Sequence, residues 1–131
     1  MSTVMRCYKE YGKVENDADI LRLIIETMSG RALAVNTKLE YLQTEINKYI
    51  QSNSKTFIKI ITDPLLPTKV LIRKAVDKGV ISKRADYYYL KRDNTPLCNN
   101  GEEPILSVAA AYLNLARNQE TKFYIEASIR D

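Results

Sequence analysis

The chain has 131 residues, of which 45% are hydrophobic, and a formal net charge of +4. That length suits one domain, or one domain with an appended helical part, and the apolar share is enough for a core. No uninterrupted apolar run comes near the roughly 20 residues of a membrane-spanning helix, and residues 1–11 lack the apolar block of a signal peptide. A protein folded in the cytoplasm where it is made, with no membrane partner, is the expectation.

Histidine is absent, and Cys7 and Cys98 are the two cysteines. The first fact removes the commonest general base near neutral pH. The second falls short of the four ligands of a structural zinc site. Thiols in a cytosolic setting stay reduced, so both cysteines are expected to be free and replaceable.

Residues 1–15 show no clear period and read as an N-terminal arm. Asn16 or Asp17 offers a capping oxygen. Ile20, Leu21, Ile24, Ile25 and Met28 then form one helical stripe up to Gly30, which suits a left-handed stop. A second amphipathic helix is predicted over 37–51, with Thr37 and Glu40 in capping-box spacing. Residues 54–62 read as a short helix after Ser54, with a strand as the alternative. Asp63-Pro64 and Leu66-Pro67 break the pattern, because the residue before proline avoids α geometry.

Thr68 is expected to cap the next helix, which faces Val70, Leu71, Ile72 and Ala75 inward and ends at Gly79. Val80-Ile81 reads as a strand, 83–86 as a turn and Tyr87–Leu90 as the returning strand. Alternation puts Tyr87 and Tyr89 on one face, with Tyr88 and Leu90 on the other. After two polar turns, Pro104 suits the first position of a helix, whose buried face is Ile105, Val108, Ala109, Tyr112 and Leu113. A last helix is predicted from Gln119, although 123–129 also alternates as a strand would. The fold class expected is mainly α with a small β-hairpin. It divides into an arm (1–15), a helical segment (16–62) and a winged-helix-like half (63–131).

Charge is segregated along the chain. Residues 64–92 hold eight basic and two acidic side chains, against nine and eight in 1–63 and three and six in 93–131. Such a segment suits a nucleic-acid face or an acidic partner. The candidate binding residues are Lys69, Arg73, Lys74 and Lys78 on the helix, with Lys83, Arg84, Tyr88, Lys91 and Arg92 on the hairpin. Aromatic rings can stack on bases while neighbouring cations hold phosphates; the same tyrosines also suit a pleated, half-buried surface. Glu102-Glu103 before Pro104 favours the helix dipole. No phosphate-cradling glycine loop and no serine–histidine pairing is present, so no catalytic residue, cofactor or small-molecule substrate is expected.

Residues 63–129 resemble a module of uncharacterised proteins of tailed bacteriophages, T4-like and crAss-like. The resemblance rests on Phe57 and Asp63-Pro64, then Lys69, Ala75 and Gly79-Val80-Ile81. It continues through Tyr88 or Tyr89, Pro96-Leu97, Ala111-Tyr112-Leu113 and Asn118-Gln119-Glu120. The sequence departs from that pattern at Asp93-Asn94, where Asp-Gly is the more usual turn. The resemblance implies a phage origin and no enzyme. The expectation is a virion structural or assembly protein that contacts other phage proteins, or itself in multiple copies. Winged-helix DNA binding through 69–92 is the alternative.

Overall fold

The structure, a computed structural model, describes residues 1–130. Among them are seven α-helices, one 3-10 turn and a two-stranded antiparallel sheet. The chain divides into two compact units, Met1–Leu66 and Pro67–Asp131.

The first unit is four helices. Helix α1 (Thr3–Gly12) stands where the sequence reads as an extended arm. Its inward side is Val4, Cys7, Tyr8 and Tyr11, of which Cys7 is fully buried and the others partly so. That stripe has helical spacing, but a thiol and two phenols disguise it as polar. Ser2 Oγ accepts from the Met5 amide at 3.2 Å and starts the helix. Helix α2 (Ala18–Ser29) begins on the Asp17 carboxylate, which accepts from the Asp19 and Ile20 amides, and it ends at Gly30 with φ 75°. Both ends agree with the sequence expectation.

Helix α3 (Leu39–Ser52) has no side-chain cap. The Thr37 hydroxyl instead donates backward to the Ala34 carbonyl at 2.6 Å, so the predicted capping box does not form. Helix α4 (Ser54–Ile61) confirms the helical reading of that stretch. Helix α1 packs on α3 and α4, and α2 packs on the same two. Leu21, Ile24, Leu42, Ile46, Ile50 and Phe57 fill the space between them and are all at 1% exposure or less. Burying such stripes is the main source of helical stability in water. Polar ties complete the unit: the Tyr8 hydroxyl donates to Asn47 Oδ1 and accepts from Gln51 Nε2. Arg22 is also buried, at 2% exposure, although it lies between stripe positions of α2 where the sequence places no core residue.

In the second unit, helix α5 (Leu66–Asp77) starts before Thr68. Pro67 lies in its first turn, where a missing amide hydrogen costs nothing. Thr68 is therefore not a cap; its hydroxyl donates to Asn114 Oδ1 at 2.8 Å. Gly79, with φ 74°, ends the helix as expected, and the Val80 amide returns to the Ala75 carbonyl. Strands β1 (Ile81–Arg84) and β2 (Tyr87–Leu90) pair with Ile81 opposite Leu90 and Arg84 opposite Tyr87. The turn is thus only Ala85-Asp86, shorter than predicted, with Ala85 at φ 53°.

The far edge of β2 is paired as well. Leu90 N donates to the Thr95 carbonyl and Tyr88 N to the Pro104 carbonyl, while the Tyr88 carbonyl accepts from Leu97 N. Helix α6 (Leu106–Asn114) begins after Ile105, which is exposed rather than buried. The single 3-10 turn, Ala116–Asn118, leads into α7 (Gln119–Ser128), so the C-terminal ambiguity resolves as helix. Ile72, Ala75, Ile81, Leu90, Leu97, Ala109, Leu113 and Ile125 form the core of this unit.

Two expectations follow for stability. A Cβ at Gly79 would meet no atom within 4 Å, so Gly79→Val is opposed by backbone strain alone. It should cost about 1–2 kcal/mol and lower the melting temperature by several degrees; an unchanged melting temperature would contradict the left-handed stop. Both cysteines are free, as expected, but they are not equally replaceable. Cys7 is buried and its thiol donates to the Ser54 carbonyl at 3.3 Å, and burial pushes its pKa up. Cys7→Ser should cost about 1 kcal/mol, whereas Cys98→Ser should stay within about 0.5 kcal/mol. Denaturant midpoints of the two variants check this.

Candidate partner-binding surface

Strand alternation sorts the hairpin into two faces. Ile81, Lys83, Tyr88 and Leu90 share one; Ser82, Arg84, Tyr87 and Tyr89 share the other. Three of the first four are buried, so that face is the core face. Tyr88, at 7% exposure, therefore supports the core and is not a ring on which a base could stack. The half-exposed rings are Tyr87 and Tyr89.

The outer face carries its own interactions. The Arg84 guanidinium lies 3.9 Å from the centre of the Tyr89 ring. Its Nη2 also donates to Asn94 Oδ1 at 3.2 Å. The Glu103 carboxylate beside the Tyr87 hydroxyl, with some desolvation, raises the Tyr87 pKa. Two residues beyond β2, Arg92 follows the same logic. Its guanidinium lies 4.0 Å from the centre of the Tyr124 ring on α7, and its Nε is 3.7 Å from Asp93. The Thr95 amide holds the Asp93 carboxyl below its ordinary pKa. Cation–π contacts of this kind are worth about 0.5–1 kcal/mol at exposed sites.

Lys83 and Lys91 are exposed. On α5, Lys69, Arg73 and Lys74 are half-buried and Lys78 is exposed. Arg73 Nη1 bonds Asp77 Oδ1 at 2.5 Å, an i,i+4 ion pair. With about 100° per helical residue, Lys69 and Arg73 lie on one side of α5, and Lys74 and Lys78 lie roughly a third of a turn away. The four α5 candidates therefore do not lie in one row along that helix. The exposed lysines are set around arginines already bound to rings and acids of the same unit.

Sequence reasoning missed the partners of these arginines. Tyr124 and Asn94 look unrelated to Arg92 and Arg84 along the chain, and only the fold brings them together. It also missed a cleft of about 230 Å³ between the 98–102 turn and the outer side of α6. Val108, Ala111, Tyr112 and Leu115 line it, with Asn99, Glu102 and Ser107 as polar groups. The turn is fixed by the Asn99 amide on Glu102 Oε1 and by Arg117 on Asn99 Oδ1.

Among the described residues, no group of three or more cysteine, aspartate or glutamate side chains is placed to hold a metal ion. No helix of the structure is long and apolar enough to cross a membrane. Searches against protein-family models, curated proteins and solved structures find no match to this chain.

The two neighbouring hairpin cations should behave differently. Arg84→Ala should cost about 0.5–1 kcal/mol, because it removes the ring contact and the Asn94 bond. Lys83→Ala should fall within about 0.5 kcal/mol of wild type. Equal effects in urea unfolding would contradict the assignment of Arg84 to the structure of the hairpin.

Proposed function

We propose that this chain is a non-enzymatic virion or assembly component that works by protein–protein contacts; residues 63–129 resemble a module of uncharacterised proteins of tailed bacteriophages, which supports a phage origin. The observation that carries the reading is the engagement of the arginines of the basic segment. Arg73, Arg84 and Arg92 bind Asp77, Tyr89 with Asn94, and Tyr124 with Asp93. In this reading they are structural parts of their unit. The exposed large apolar side chains, Met5, Val35, Tyr41 and Phe123, supply contact area for partners. Scattered exposed apolar residues are ordinary on a surface, so they support the reading without carrying it.

The second reading is winged-helix DNA binding, with α5 as the helix and β1–β2 as the wing. The net +6 of residues 64–92 favours it, as does the exposure of Lys78, Lys83 and Lys91. The two readings differ in salt dependence, since each phosphate contact adds about 0.9 to the slope of log affinity against log salt. All eight cations of the segment on phosphates would give a slope near −7. The protein-contact reading predicts weak DNA binding, with a slope no steeper than about −2 from the exposed Lys83 and Lys91. A steep, tight isotherm would replace it by the DNA reading. Purified virions that contain the chain would support the assembly role, and particles without it would oppose a virion component.

A further inference from the structure

Phe123 is 64% exposed on α7, the largest uncovered side chain of the second unit. Glu120, Ala127 and Arg130 are exposed as well, the last in the turn that closes α7. The spacing of three and four residues places Glu120, Phe123 and Ala127 on one side of the helix, as along a coiled-coil seam, and Arg130 follows two residues beyond its last turn. The opposite side turns Ile125 into the core at 0% exposure. Among the described residues, Glu120 and Arg130 form no side-chain ion pair.

Along the axis the exposed side reads acidic, aromatic, small, basic. Reversed, that order is its own complement. We propose that α7 of one copy pairs antiparallel with α7 of a second copy, about a two-fold axis at the level of Ile125. Phe123 then covers the partner's Ala127, and Glu120 faces the partner's Arg130, at both ends of the contact. This is an isologous interface, in which one patch meets itself. The inference rests on the protein-contact reading and names its partner as a second copy of this chain. A ten-residue helix covers only part of the roughly 800 Å² per partner buried in a standard interface. The isolated pair is therefore weak, and it strengthens where many copies are held side by side.

The test is sedimentation equilibrium of the full chain from about 10 μM to about 1 mM, the range of weak association. Wild type should show concentration-dependent dimer. Glu120→Arg puts like charges at both ends of its homodimer, and so does Arg130→Glu. Each alone should dimerise about tenfold more weakly. An equimolar mixture of the two variants restores opposite charges at both ends and should recover the wild-type association. Phe123→Ser should abolish dimer while circular dichroism stays native. Wild type that remains monomeric throughout, single variants that associate like wild type, or a mixture no tighter than its components would each overturn the proposal. A monomer that also binds DNA weakly removes only the self-pairing. Steep salt-dependent DNA binding removes the protein-contact reading itself.

Discussion

The second unit depends on β2 having partners along both edges. A two-stranded hairpin alone is marginal in water, and an unpaired strand edge invites association. Here β1 pairs with one edge, and the Tyr88 and Leu90 amides and the Tyr88 carbonyl meet Pro104, Thr95 and Leu97 on the other. Those bonds carry the 95–104 segment across to the start of α6. The same four residues, Tyr87–Leu90, send Tyr88 and Leu90 into the core and leave Tyr87 and Tyr89 outside. One short strand thus sets the position of the core, the loop and the outer ring face together.

That arrangement also decides what the basic segment can do. Arginine is planar and weakly hydrated, and it stacks on aromatic faces more readily than lysine does. Arg84 and Arg92 both stack, one on the outer face of β2 and the other on α7, so that the cations brace the unit. Lys83 and Lys91, next to them in sequence, stay in solvent. Local charge density is therefore high while part of it is committed within the unit. This physical split is what separates a protein-contact reading from a phosphate-binding one.

Much of the fold is legible in the sequence wherever one residue type has a single backbone use. A cap at Asn16 or Asp17 (the structure gives it to Asp17), Gly30 and Gly79 as left-handed stops, and the alternation of Tyr87–Leu90 all appear in the structure. The missed features share a different cause. The α1 stripe was hidden because Cys7, Tyr8 and Tyr11 bury apolar bodies under polar labels. Thr37 matched a capping pattern, but its hydroxyl had a nearer acceptor in the preceding turn. Pro67 looked like a break, yet a first helical turn has no use for the hydrogen it lacks. The candidate surface was legible as composition only. Nothing local to residues 83–92 shows that Arg92 will meet Tyr124, because that contact exists only after α7 has docked.

The central claim is that Arg84 and Arg92 are held on rings of their own unit. Proton NMR tests it most directly, since protons over an aromatic face are shifted upfield by the ring current. The account predicts upfield shifts for the side-chain protons of Arg84 and Arg92. Tyr89→Leu should remove the shift from Arg84 alone, and Tyr124→Leu should remove it from Arg92 alone. Ordinary shifts for both arginines in the wild-type chain would contradict the account and leave Arg84 and Arg92 off their rings.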